Sequence, residues 1–387
     1  MIEYDFKKQP NRLHESSVKW RESENNPNLL QLWVADMDFQ VMPEIREALI
    51  THVSQDILGY TYPRQDLYQA IINWEMIEHG YGISKDCLLF IDGVVPALSI
   101  ALQSYTQEED AVLINSPVYP PFARTIQANN RKVVRNELVI SEGRYTIDFE
   151  QLEKQISEEQ VKLYFLCNPH NPGGRVWSQE ELFKIGTLCQ KYQVLLVSDE
   201  IHQDLALFGN KHHSFNTIRS DFKDFSIILS SATKTFNIAG TKNSFAMIEN
   251  PILRRLFKKT QIKNNQREIP TVGLVATEAA YTYGRDWLNQ LKKTLEENIT
   301  FVTDFLGEYT KIRVMKPEGT YLIWLDFTAY GLEQKDLMTK LKEEAHLVLN
   351  DGETFGKSGK GYARFNAATP MSVIVKACQR LARVFPK

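Results

Sequence analysis

Five short apolar runs punctuate the middle of the chain: Ala111–Ile114, Lys162–Leu166, Val194–Ser198, Ile227–Ser231 and Phe245–Ile248, each flanked by turn or polar residues. Runs of this length suit strands, and their lack of polar alternation predicts strands buried on both faces. Amphipathic helical patterns lie between them. Asp148 followed by Gln151 predicts a capped helix with Phe149, Leu152 and Ile156 on one face. Ser178 and Glu181 form a capping box ahead of Leu182, Ile185 and Cys189. Strand alternating with helix predicts an α/β fold with a largely parallel sheet.

The last hundred residues follow a different order. A long helix is predicted from near Asp286, with Leu288, Leu291, Leu295, Ile299 and Val302 on its inner face. After it come a strand at Tyr321–Leu325, a helix near Lys335–Glu344, a strand near Ala363–Phe365 and a final helix from Met371. This mixed order suits a smaller α+β domain. The first forty residues have little periodicity and are expected to lie across that domain. The expected division is an N-terminal segment 1–45, a large domain 46–284 and a small domain 285–387, with hinges near Pro43 and Tyr283–Gly284.

A chain of 387 residues with 43% hydrophobic residues can fill two cores. Its net charge of -3 carries no basic excess for nucleic acid and no like-charged arm. No apolar run approaches a membrane span, and the polar N-terminus lacks the apolar core of a signal peptide. Cys87, Cys167, Cys189 and Cys378 have neither C-x-x-C pairing nor metal-ligand spacing, which reads as reduced thiols in a cytoplasmic protein.

Four segments carry chemistry. Ser231-Ala232-Thr233-Lys234 directly follows a buried-strand pattern. A lysine there loses hydration, its ammonium form is disfavoured, and its amine can attack a carbonyl. Ser231 and Thr233 can offer hydroxyls to a phosphate on the same loop. Asp199 follows the run Val194–Ser198. A carboxylate at the C-terminal end of a parallel strand lies where α/β sheets bind ligands, and an anion there can keep a cofactor pyridine nitrogen protonated; an isolated aspartate in this place is as often a helix cap. Asn168-Pro169-His170-Asn171-Pro172-Gly173-Gly174 follows the strand ending at Cys167 and would otherwise read as a turn. Asp92-Gly93-Val94-Val95-Pro96 precedes a helical pattern, so its backbone N–H groups can face an anion.

These segments occur in an order that resembles a known family. SATKTFNIAG around Lys234, SDEIHQDL around Asp199, CNPHNPGGRVW around Asn171 and SPVYPPF around Tyr119 are joined by WVADMDF, GYTYP, PEGTYLIWLDF and YARFNAATP. Together they resemble the fold-type I pyridoxal-phosphate enzymes, in the cystathionine β-lyase (C–S lyase) branch related to class I/II aminotransferases, over almost the whole chain. The resemblance implies pyridoxal 5'-phosphate as cofactor, Lys234 as the Schiff-base lysine and Asp199 as the pyridinium partner. It places Asn171 on the phenolic oxygen, Tyr119 over the ring face and His202 beside the ring, where aminotransferases often carry a tyrosine. The backbone of Val94 and Val95, with Ser231 and Thr233, would hold the phosphate. Arg364 would bind the substrate α-carboxylate, next to Tyr119 and Asn171. Tyr60 would reach the phosphate of a neighbouring subunit, which implies a homodimer.

Two positions depart from the family pattern. Gly173 stands where N-P-T-G has threonine, which implies a looser turn. Lys242 stands where many aminotransferases have a phosphate-binding arginine, and supplies a point charge instead of a planar pair of donors. The implied reaction is α,β-elimination of an amino-acid thioether such as L-cystathionine: Lys234 removes the Cα proton, a thiol leaves Cβ, and pyruvate and ammonia follow. An aminotransferase would use the same residues and return the proton to the cofactor. A cofactor-binding regulator is a third class, for which the sequence offers no DNA-binding appendage.

Overall fold

The computed structural model describes residues 3–387. The first two residues of the expected segment 1–45 lie outside that range.

Seven strands form the main sheet: β1 (Leu88–Ile91), β2 (Ala111–Ser116), β3 (Lys132–Glu137), β4 (Leu163–Cys167), β5 (Leu195–Asp199), β6 (Ser226–Ser230) and β7 (Ser244–Met247). Their spatial order is β1-β7-β6-β5-β4-β2-β3. Neighbours from β6 through to β3 pair in parallel, while β7 is antiparallel to both β6 and β1. The connection from Ser231 to Asn243 holds only one helical turn, Ala232–Thr235, and a 3-10 turn. That is too little to recross the sheet, so the chain returns antiparallel.

The all-apolar runs are explained by two cores. Leu163 and Phe165 of β4 face one hydrophobic cluster and Tyr164 and Leu166 face the other, and β2, β5 and β6 divide their side chains the same way. Each fully buried Leu, Ile, Val or Phe contributes roughly 1.5–3 kcal/mol, so a strand covered on both sides has no reason to alternate. The predicted caps form: Asp148 accepts from Gln151 N at 3.0 Å, and Ser178 and Glu181 make the reciprocal bonds of a capping box.

A second, four-stranded sheet, antiparallel throughout, consists of β8 (Arg313–Met315), β9 (Leu322–Asp326), β10 (Asn350–Asp351) and β11 (Tyr362–Asn366), in the order β8-β9-β11-β10. The long helix Arg285–Tyr309 and the final helix Met371–Val384 pack beside it. Residues of the N-terminal segment touch this part. Leu30–Gln31 pairs in parallel with Leu347–Val348, and Asn366 N donates to Leu32 O at 2.9 Å. Among the described residues no helix is long and apolar enough to cross a membrane.

Candidate active site

Strands β1, β2, β4, β5 and β6 end at the same edge of the main sheet, and each delivers a loop to one cavity of about 670 Å³. After β1 the loop contributes Asp92 to Pro96, after β2 Tyr119, after β4 Asn171; β5 ends in Asp199, and Lys234 follows β6. This volume lies in the usual range for a small-molecule site, and the carboxyl edge of a parallel sheet is where such sites form. Gly93 enters the helix Val94–Tyr105 with φ of +150°, a conformation that favours glycine.

Lys234 Nζ donates to Ala35 O at 2.6 Å. Burial, reinforced by the nearby Arg364 charge, lowers its pKa to about 8. Asp199 is 4% exposed and its Oδ1 accepts from Ile201 N at 3.2 Å. Burial, with the neighbouring Glu200 adding to it, raises its pKa to about 7. A carboxyl this starved of hydration gains from a cationic N–H donor in the cavity beside it. His202 lines the same cavity; burial holds its pKa down at about 3, and its Nδ1 has no hydrogen-bond partner.

Arg364 sits on β11 across the cavity. Its Nη1 donates to Asn171 Oδ1 at 2.9 Å, its Nη2 to Trp33 O at 3.0 Å and to Asn350 Oδ1, and its Nε is buried without a partner. Asn171 thereby uses its carbonyl oxygen on Arg364 and keeps its amide N–H₂ for another acceptor. Tyr119 N donates to Asn171 O at 3.0 Å, which ties the two loops together. Burial raises the Tyr119 phenol above its ordinary value, with the Asp199 charge adding to the effect.

The structure therefore brings Val94, Val95, Tyr119, Asn171, Asp199, His202, Thr233, Lys234, Lys242 and Arg364 to one cavity. Ser231 stands behind the wall. Its hydroxyl accepts from Thr233 N at 3.1 Å and bonds Asn243 O at 2.6 Å, so it caps the lysine turn. Tyr60 is fully exposed and lines a separate surface groove. Gly173 does not loosen its turn: a Cβ there would come within 2.4 Å of the Tyr145 ring, which fills the space a threonine would need. Sequence reasoning missed Ala35, Asn350 and Asn243. Ala35 contributes only a carbonyl, and the two asparagines lie in segments without a recognisable motif.

These residues fit pyridoxal phosphate. The cavity holds a lysine amine of lowered pKa, a dehydrated carboxyl and an unpartnered imidazole nitrogen, and one side of it is a helix N-terminus.

The comparisons agree with this chemistry. The model of the family "Aminotransferase class I and II" matches residues 27–381. The chain is 39% identical over 381 residues to cystathionine beta-lyase PatB of Bacillus subtilis (strain 168), covering 97% of this chain and 98% of that protein. Cystalysin from Treponema denticola, solved with a pyridoxal 5'-phosphate cofactor, superposes with a TM-score of 0.96 at 35% identity, over 99% of each chain. A PLP-bound C–S lyase from Staphylococcus hominis superposes with a TM-score of 0.93 at 31% identity, over 100% of this chain and 99% of that one.

Proposed function

Because the chain belongs to the class I and II aminotransferase family, we propose that it is a pyridoxal-phosphate-dependent carbon–sulfur lyase that converts L-cystathionine or a related cysteine S-conjugate to a thiol, pyruvate and ammonia. The observation that carries this reading is the charge lining the cavity. Arg364 is the single arginine among its lining residues, opposite Lys234 and Asp199. Arg364 can serve one α-carboxylate, and among the described residues of this chain no second arginine lines the cavity as a planar clamp for a dicarboxylate side chain of the kind a glutamate-using aminotransferase would bind.

When bound, pyridoxal phosphate supplies a protonated pyridine ring that draws off the electron pair left at Cα. Asp199 would hold the proton on the ring nitrogen, and Tyr119 would pack against the ring. Lys242 and the N-terminus of the helix Val94–Tyr105 would offset the phosphate charge, and the Thr233 hydroxyl would offer it a hydrogen bond. Arg364 fixes the substrate carboxylate, and this sets which Cα bond faces Lys234. The neutral amine of Lys234 removes the Cα proton, and the thiolate departs from Cβ. Trp33, Val34 and Ala35 line one wall of the site.

The same reading makes the protein a homodimer divided into segment 1–45, large domain 46–284 and small domain 285–387. Support for the dimer comes from an exposed apolar stretch, in which Ile57, Leu58, Tyr60 and Tyr62 are all well exposed. A cytoplasmic location is supported by four buried, unpaired cysteines.

The test is direct. Purified protein is incubated with L-cystathionine and, separately, with an amino donor plus 2-oxoglutarate, and pyruvate, free thiol and glutamate are measured. Release of thiol and pyruvate is expected to exceed glutamate formation. Dominant glutamate formation would make the protein an aminotransferase.

A further inference from the structure

A second polar cluster is built on the residues that follow Asp199 and Lys234 and is used by none of the steps above. Asp204, 2% exposed, sits in the 3-10 turn Gln203–Leu205 just after Asp199. Its Oδ1 accepts from the Trp74 indole at 2.9 Å and meets His79 Nε2 at 2.8 Å. Its Oδ2 accepts from the Thr235 hydroxyl at 2.6 Å. Thr235 is the residue after Lys234 and closes its helical turn.

A buried carboxylate with every donor in place is costly to assemble unless the geometry it holds is needed. The donors here come from widely separated parts of the chain. Trp74 and His79 belong to the helix Gln65–His79, which is capped by Gly80 and packed against Thr271–Tyr283. Trp74 stacks on Tyr281 of that second helix at 4.9 Å. The cluster continues to the other side of the site: the His79 ring meets His212 edge-on at 5.5 Å, and His212 Nε2 lies 3.1 Å from Glu200, the neighbour of Asp199. Thr235 contributes the hydrogen bond that joins the lysine turn to this layer. The turn is only four residues long; the Ser231 hydroxyl holds its N-terminal end, and Thr235 holds its C-terminal end through Asp204.

We propose that Asp204 is a positioning residue: held from behind by Trp74 and His79, its carboxylate locks Thr235 and so fixes the turn that presents the Lys234 amine. This rests on the role given to Lys234 under the proposed function. It differs from a general stabilising role in acting through one hydroxyl.

The experiment compares Thr235→Val, which keeps the shape and loses the hydroxyl, with Thr235→Ser, which keeps the hydroxyl. Two quantities are measured: the rate at which apoprotein captures pyridoxal phosphate, followed by absorbance, and the separate kcat and KM of the loaded enzyme. Misplacement of a reacting group costs roughly tenfold to a hundredfold. Thr235→Val is therefore expected to slow capture and kcat at least tenfold with KM changing far less, and Thr235→Ser to recover most of both. Asp204→Asn combined with Thr235→Val should be no worse than the more damaging single change, because the two groups act as one. Parent-like capture in Thr235→Val, equal damage in Thr235→Ser, or additive losses in the double variant would overturn the proposal. If Asp204→Asn does not fold, the valine–serine pair decides alone. Lys234→Ala separates the two readings: if it stays active, the role of Lys234 is wrong, whereas a dead Lys234→Ala beside a normal Thr235→Val removes only the positioning role.

Discussion

The C-terminal edge of the main sheet and the strap Trp33–Ala35 face the same cavity but hold their groups by different means. At the sheet edge the working groups are side chains, Asp199 and Lys234, placed within a few residues of a strand end. Along the strap they are backbone carbonyls. Ala35 O accepts from both Lys234 Nζ and Tyr321 OH, and Trp33 O accepts from Arg364. The strap is fastened in turn by a charged knot in which the fully buried Lys19 amine reaches Asp38 at 3.0 Å and Asp36 O at 3.0 Å. On the proposed function, one region carries reactive groups at a strand end or in the turn just beyond it, and the other aims groups that belong elsewhere. Damage to the first should appear in kcat and cofactor capture, and damage to the second in KM.

Lys234→Ala is the largest test of this split. Loss of both the covalent anchor and the base should lower turnover by roughly three orders of magnitude or more, given the 10²–10⁴-fold typical of general acid–base groups alone. In the parent, borohydride should fix the cofactor to Lys234, and peptide mapping by mass spectrometry checks it. An adduct on any other lysine would move the chemistry away from the sheet edge.

The pH dependence of capture comes next. Lys234 is lowered to about 8 by burial, so its amine becomes neutral as the pH rises through that value. Only the neutral amine attacks an aldehyde. Capture of pyridoxal phosphate by apoprotein should rise roughly fiftyfold from pH 6 to pH 8 and level off above pH 9, following the neutral fraction. A rate that still climbs steeply between pH 9 and 10.5 would indicate a hydrated, ordinary lysine.

Asp199→Ala should cost about 1.5–3 kcal/mol, the worth of a hydrogen bond to a charged group, which is roughly tenfold to a hundredfold in kcat. Parent-like turnover would remove Asp199 from the chemistry. Arg364→Lys tests the facing side. A lysine cannot reproduce a planar guanidinium that bonds Asn171, Asn350 and Trp33 O at once, so KM should rise about tenfold, with a smaller loss in kcat. A fall confined to kcat would erase the division between the two regions.

The sheet edge was legible in the sequence because its chemistry is local. A buried strand followed at once by Lys234, Asp199 or the Asn171 turn is a short-range pattern, and all three reach the cavity. The reversal of β7 was not legible, because an apolar run carries no mark of direction. A hydroxyl beside the lysine, as at Ser231, suggests a phosphate ligand, but here it bonds Thr233 N and Asn243 O. The strap's role is invisible in its motif, since a carbonyl belongs to every residue alike. Lys19, in a polar N-terminus, gave no sign that it would be fully buried, and the bonds from Trp74 and His79 to Asp204 span more than a hundred residues.

Trp33→Phe is the smallest and most discriminating test of the strap. The Trp33 indole N–H donates to Lys19 O at 3.0 Å, its ring lines the cavity, and its carbonyl receives the Arg364 bond. Phenylalanine keeps an aromatic wall and the carbonyl but leaves Lys19 O without its donor. A typical hydrogen bond contributes about 1 kcal/mol net, which corresponds to roughly fivefold. If the strap acts by aiming Arg364, that loss should appear as a rise of about fivefold in KM, with a smaller change in kcat and with cofactor capture by Lys234 nearly as fast as in the parent. Ala35 complicates this separation, because its carbonyl touches Lys234 directly only two residues away. A loosened strap that slows capture as much as it raises KM would mean that the strap moves as one piece and serves both groups together. Steady-state kinetics and absorbance-monitored capture on the same preparation distinguish the two outcomes.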